Sequence, residues 1–248
     1  MQESVKRNVL LNPGPSTTTD SVKYAQVVPD ICPREKEPMR DDLVRIVHGD
    51  PKEYTAVLFC GSGTICIDVV LNSLLAEGKR ALVVNNGSYS QRACDVLTAY
   101  HMPFVEVKQP VDTTPDLDVI EAALKDNPDV GYVYMTFHET GSGLLNPVRA
   151  VGALAHKYGA FFITDSTSAY AMIPINVYED NIDFCMASAQ KGIQAMTGLS
   201  YVIGRRDIVE ASKDFPVRSY YCNLYLQYEY FETTGEMHFT PPVQTIYA

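Results

Sequence analysis

"YTAVLFCGSGTICIDVVLNSLLAEGKRALVVN", residues 54–85, reads as a strand, a helix and a second strand. The run 54–60 is short, apolar and rich in β-formers. Residues 64–78 carry apolar side chains at helical spacing and end at Gly78, the residue type that commonly caps a helix. Residues 80–85 read as a strand again, and the alternation continues outward. A helix is expected over 90–101, a strand over 103–108, and a helix over 114–128 with Thr114 as its cap and Pro115 in its first turn. A strand over 131–137, a helix over 146–159 and a strand over 160–165 follow, then apolar runs around 183–187 and 200–204. Strands apolar on both faces and alternating with helices predict an α/β fold, a mainly parallel sheet with helices on both faces. Ligands bind such sheets at the carboxyl ends of the strands, so chemistry is to be sought in the residues just after each strand.

The bulk properties narrow the classes of function. A chain of 248 residues with 46% hydrophobic composition can build one large core, or one large domain plus part of a second. Its net charge of −10 and the lack of a basic stripe argue against a nucleic-acid partner. No apolar run has the length of a membrane span, and "MQESVKRNVLLNPGP" carries no signal-peptide core. Cys32, Cys60, Cys66, Cys94, Cys185 and Cys222 form no C-x-x-C pair, which suits reduced thiols in a cytoplasmic protein. The histidines show no metal-ligand spacing, so no metal is expected. After about residue 215 the pattern turns tyrosine-rich, and the sequence stops inside the apolar run "PVQTIYA".

Five strand ends are where chemistry is to be sought. After 54–60 comes "GSGT", Gly61 to Thr64, opening a helix. Glycines admit close backbone approach, the helix N-terminus offers N–H groups, and Ser62 and Thr64 add hydroxyls, which together suit a phosphate. The G-K-[ST] ending of a P-loop is missing, and Cys66 stands where a G-x-G-x-x-G would have its third glycine. A tight turn with no ligand fits this stretch equally well. After 80–84, Tyr89 follows a glycine turn and could wall a pocket or simply pack on the core. After 131–137, "HETGSG" offers His138, read here as a hydrogen-bonding residue rather than a catalyst. After 160–164, Asp165 needs a positive charge or a loop-capping role to offset its desolvation. Lys191 stands at the mouth of the run 183–187, among Ser188, Ala189, Gly192 and Ala195. A lysine is ordinarily solvated. A phosphate cradle, an aromatic wall, a buried acid and a lysine at successive strand ends match the parts of pyridoxal 5'-phosphate (PLP).

In order along the chain, "LLNPGPSTTTDSVK", "VPDICPREKE", "GSGT", "NNGSYSQR", "HETGSGLLNP", "TDSTSAYAMIPI", "SAQKGIQAMTGLS" and "HFTPP" resemble the fold-type I, class V PLP-dependent aminotransferases. "NPGP" together with "PREKE" resembles the members that move an amino group from an aminophosphonate to a keto acid. The resemblance implies that Lys191 carries the cofactor and that Asp165 keeps its ring nitrogen protonated. It implies phosphate contacts from Ser62, Gly63, Thr64 and Gln190, ring stacking by Tyr89, and ring-side contacts from Thr140 and Thr167. It also implies a homodimer in which Thr240 reaches the neighbouring subunit's site. Residues 1–30 would form an arm contributing to the active site, and 31–248 the PLP-binding large domain. Members continue past "FTPP" into a small C-terminal domain with an arginine for the substrate's acid group, and carry more residues between the positions of Glu37 and Pro38; this sequence lacks both. Other class V aminotransferases, a PLP-binding lyase and an inactive PLP-binding scaffold share the same strand-end residues.

Overall fold

The structure is a computed structural model and describes residues 5, 8–29 and 39–248. The segment around Glu37 and Pro38, and with it Cys32, lies outside the described residues. All seven expected strands form: β1 (Tyr54–Cys60), β2 (Arg80–Asn85), β3 (Phe104–Lys108), β4 (Val130–Thr136), β7 (Phe161–Asp165), β8 (Phe184–Ser188) and β9 (Leu199–Arg205). A small hairpin, β5 (His138–Glu139) with β6 (Leu144–Leu145), follows β4. The helices are α1 (Asp20–Ala25), α2 (Arg40–Ile46), α3 (Gly63–Ser73), α4 (Ser88–Ala99), α5 (Leu117–Asp126), α6 (Val148–Lys157), α7 (Arg206–Ala211), α8 (Leu224–Thr234) and α9 (Val243–Ile246).

The main sheet has the order β1-β9-β8-β7-β4-β2-β3. Residues 81–86 are buried without a break, so both faces of β2 are covered. The bulky centre comes from Tyr132, Tyr134, Phe162, Phe184 and Tyr201, all fully buried. β9 departs from the parallel expectation: it runs antiparallel to both β8 and β1. The reason lies in the connection. Residues 189–198 contain no helix, and a parallel return needs a crossover of a dozen or more residues, usually helical. Insertion of β9 places β1 at the sheet edge, far from β2. Helix α3 packs across β8 and β9, which carries the "GSGT" turn back over the middle of the sheet.

Two helix boundaries differ from the sequence expectation. α3 ends at Ser73 rather than near Gly78. The Arg218 guanidinium donates to the carbonyls of Asn72 and Leu75 and ends the helix there, while Leu74 and Leu75 turn into the core. α5 starts after Asp116, whose carboxylate accepts the Asp118 N–H at 2.9 Å, so Thr114 is not its cap and Pro115 lies before its first turn. Among the described residues no helix is long and apolar enough to cross a membrane, and no group of three His, Cys, Asp or Glu side chains could hold a metal. The five described cysteines form no disulfide.

Candidate active site

The carboxyl ends of β1, β2, β7 and β8 converge on one cavity of about 210 Å³. Ser62, Gly63 and Thr64 line it from the start of α3, Tyr89 and Arg92 from the first turns of α4, Asp165 from the end of β7, Thr167 from the turn after it, and Gln190 and Lys191 from the loop after β8. Gly14, Pro15, Ile67 and Thr197 complete the wall. A larger hollow of about 600 Å³ lies at the opposite ends of the strands. Several of its side chains are engaged with neighbours, Arg205 with Asp207, Arg206 with Glu232 and Tyr178 with Glu53.

Helix α3 begins at the cavity without a side-chain cap; Ser62 is the N-cap residue, with extended backbone, and its hydroxyl makes no capping bond. The first-turn N–H groups and the positive end of the helix dipole thus point toward the space that an anion would take. Gly63 lets the backbone pass close to its neighbours: a Cβ there would fall 3.1 Å from Thr167 Cγ2 and 3.3 Å from Ser188 Oγ, a tight fit.

Two buried aspartates make an instructive pair. Asp183, 2% exposed, accepts from His156 Nε2 (2.6 Å), the Phe162 N–H (2.7 Å) and Arg205 Nη1 (3.1 Å). Asp165, 3% exposed, accepts the Thr167 N–H on Oδ1 at 2.9 Å and has no ion pair among the described residues. Burial raises its carboxyl above the ordinary 3.8, against the pull of Thr167 and the Arg92 charge. A buried carboxylate in this position is incomplete until a cation joins it.

Lys191 reaches the cavity from the loop after β8. Its ammonium is half-buried, and burial lowers its affinity for a proton while Asp165 works the other way. Nζ donates to the Pro13 carbonyl at 3.2 Å, and the Ser16 N–H and hydroxyl donate to the Gln190 and Lys191 carbonyls. The neighbouring small residues exist for close approach. A Cβ on Gly192 would fall 2.2 Å from the Tyr170 carbonyl, and one on Gly14 would fall 2.5 Å from Lys191 Nζ.

Tyr89 sits in the first turn of α4, its N–H donating to the buried Glu139 carboxylate at 3.3 Å. His138 Nδ1 bonds the Ser168 hydroxyl at 3.1 Å, as a satisfied structural histidine does. Thr140 is half-buried in the β5–β6 turn and Thr240 is exposed; neither lines the cavity. Sequence reasoning missed Arg92, Ile67 and Thr197 as cavity residues. Arg92 was within reach: three residues after Tyr89 on a helix places it on the same face.

The residues present fit PLP. Asp165 lacks a cation, Lys191 is an amine of reduced basicity, and α3 presents an uncapped N-terminus. Ser188 Oγ and Gln190 Oε1 are buried beside that terminus without partners among the described residues.

Comparison with known proteins agrees. The family described as "Aminotransferase class-V" matches residues 35–248. The chain is 31% identical over 245 residues to a 2-aminoethylphosphonate–pyruvate transaminase of Lysinibacillus sphaericus, covering 96% of this chain and 66% of that protein. It is 34% identical over 248 residues to the transaminase of the same name from Salmonella heidelberg, covering 97% and 67%. It is 32% identical to a bifunctional phosphonoacetaldehyde hydrolase/aminoethylphosphonate transaminase of Clostridioides difficile, covering 97% and 38%. The chain thus spans about two thirds of the length of the single-function relatives. In fold it is similar to an alanine–glyoxylate aminotransferase of Nostoc sp. (TM-score 0.88, 20% identity, 100% of this chain and 67% of that one). It is also similar to an aspartate aminotransferase of Thermus thermophilus (TM-score 0.85, 20% identity, 97% and 68%). By sequence and by the architecture that gathers these strand ends, the chain belongs to the class-V aminotransferase family and has the large-domain fold of the fold-type I PLP enzymes.

Proposed function

We propose that the protein is a transaminase that moves the amino group of 2-aminoethylphosphonate to pyruvate, giving phosphonoacetaldehyde and L-alanine. The observation that carries the reaction class is the meeting of Lys191, Asp165, Tyr89 and the α3 N-terminus in one cavity. The substrate pair is supported by relatives of that name at 31% and 34% identity. The Clostridioides relative adds support, since its name joins such a transaminase to a hydrolase of phosphonoacetaldehyde.

PLP, when bound, supplies an electron-accepting ring joined to the substrate's nitrogen. Lys191 would hold the cofactor, and its Nζ would take and return a proton at the carbon bearing the substrate's amino group. Burial suits it to this by making it less basic than a solvated lysine. Asp165 would hold a proton on the ring nitrogen. Ser62, Gly63, Thr64 and Gln190 would bind the phosphate, Tyr89 would cover one ring face, and Thr167 would contact the ring side together with Thr140. Residues 1–30 act in this reading as an arm of the site, supported by the Pro13 and Ser16 contacts to the Lys191 loop. Residues 31–248 form the cofactor-binding domain.

A half-reaction tests the reading. Protein loaded with PLP and given 2-aminoethylphosphonate, with no keto acid, should form pyridoxamine phosphate and one equivalent of aldehyde. A panel of L-alanine, L-serine and L-aspartate should be slower as first donors by at least about tenfold in kcat/KM, the scale that a lost charged contact sets. Conversion with none of the donors, despite a bound cofactor, would contradict transamination.

Assembly follows from the same reading. Thr240 and Tyr220 are exposed, and Tyr220 and Tyr221 pack on Phe239 at centroid distances of 5.9 and 4.7 Å. This aromatic surface beside Thr240 suits an isologous homodimer interface in which Thr240 completes the neighbour's site. Sedimentation should find a dimer in the active fraction; a fully active monomer would refute the shared site.

A further inference from the structure

Most described arginines are satisfied by carboxylates: Arg40 by Glu232, Arg80 by Asp129, Arg149 by Asp180 and Arg205 by Asp183. Arg92 is used differently. It is half-buried and lines the cavity. Its Nη1 donates to Thr64 Oγ1 at 3.0 Å, and its guanidinium carbon stands 4.7 Å from the centroid of the Tyr89 ring. One side chain therefore touches both the helix that offers the phosphate cradle and the ring that walls the cavity.

The hydroxyl chemistry gives this contact a direction. A threonine hydroxyl has one proton to donate and two lone pairs. With a lone pair of Thr64 taken by Arg92, its own O–H is left to donate elsewhere, polarised by a charged donor behind it. Thr64 lies in the first turn of α3, an eleven-residue helix whose N-terminus has no side-chain cap. An anion drawn there by the backbone N–H groups meets a hydroxyl already turned to donate. The same guanidinium lies over the Tyr89 ring, which cation–π attraction holds in place. The helix that carries Arg92 is fixed at its start. It enters at Gly87, where a Cβ would fall 2.3 Å from Glu139 Cδ, and that carboxylate accepts the Tyr89 N–H.

We propose that Arg92 is a positioning residue: it sets the Thr64 hydroxyl as a donor to the cofactor's phosphate and braces Tyr89 as the ring's wall. The proposal rests on the PLP reading of the site. Lysine cannot replace it in both duties, because an ammonium lacks the planar fork that stacks and bonds at once.

The test compares PLP with pyridoxal, which lacks the phosphate, by equilibrium titration of the folded chain followed through cofactor absorbance. Melting curves verify that each variant is folded. Arg92→Gln should weaken PLP by about tenfold, the size of one charge-assisted hydrogen bond, and pyridoxal by less. In a Thr64→Val background the further change on adding Arg92→Gln should shrink to under about twofold in the PLP-to-pyridoxal ratio, as coupled contacts do in a double-mutant cycle. Arg92→Lys, which keeps the charge and the stem, carries the same comparison with a smaller drop if Arg92→Gln does not fold. Equal weakening of both ligands would overturn the proposal in favour of a purely structural arginine. An undiminished effect in the Thr64→Val background would overturn it in favour of direct contact with the phosphate. A parent chain that binds PLP yet shows either result fails this inference alone; a parent that binds neither ligand fails the cofactor reading and this inference with it.

Discussion

Asp165→Asn should melt higher than the parent when both lack cofactor, and should turn over about a hundredfold or more slower when both are loaded with PLP, equivalent to roughly 3 kcal/mol in the barrier. The two halves have one cause. Burial raises the folded pKa of Asp165 above its ordinary 3.8. A carboxyl that binds its proton more tightly when folded costs stability once the pH exceeds its unfolded pKa, and the cost is complete above its folded pKa. The parent's melting temperature, relative to the Asn variant, should therefore decline as pH rises above the unfolded pKa and level off once the pH exceeds the folded one. Asparagine keeps the acceptor for the Thr167 N–H and removes the charge. It cannot hold a proton on the ring nitrogen, so the loss falls on the transition state rather than on binding. A loop-capping role makes the reverse forecast: a lower melting temperature with near-normal turnover per loaded site. Near-normal turnover in a loaded Asn variant would remove Asp165 from the mechanism.

Lys191→Ala should lose more. General-base transfer by a positioned side chain contributes about 10²–10⁴-fold, so turnover should fall by about a thousandfold, the middle of that range. Lys191→Arg should not recover it, because a guanidinium stays protonated. Small primary amines added to Lys191→Ala should restore part of the rate in proportion to their concentration, since they resupply a base where Nζ stood. Single-turnover rates against amine concentration provide the measurement. A rate that ignores added amine while the variant still binds substrate would place the proton transfer on another group.

The seven strands were legible because each is a short apolar run with turn residues on both sides, and a helix or loop of ordinary length separates them. Asp165, Tyr89, Thr64 and Lys191 were legible because a parallel sheet puts its chemistry at the carboxyl ends of its strands. The antiparallel course of β9 was readable only from the missing helix over 189–198, which strand patterning does not register. The end of α3 and the start of α5 followed contacts that helical periodicity cannot contain: Arg218 reaches Asn72 from far along the chain, and Asp116 outcompetes Thr114 as a cap. The seating of the 13–16 segment on Lys191 is likewise a long-range fact. Arg92 was overlooked because an arginine in an amphipathic helix ordinarily faces water; its spacing from Tyr89 put it on the cavity side of the helix, and its contacts with Thr64 and Tyr89 bear that out.

The central claim is that one lysine, Lys191, carries PLP. The chain is incubated with PLP, reduced with borohydride so that the lysine bearing the cofactor is fixed, digested, and its peptides sequenced by mass spectrometry. The account predicts one stoichiometric label on Lys191 and none in Lys191→Ala; a stoichiometric label on any other lysine, or none in the folded parent, would contradict it.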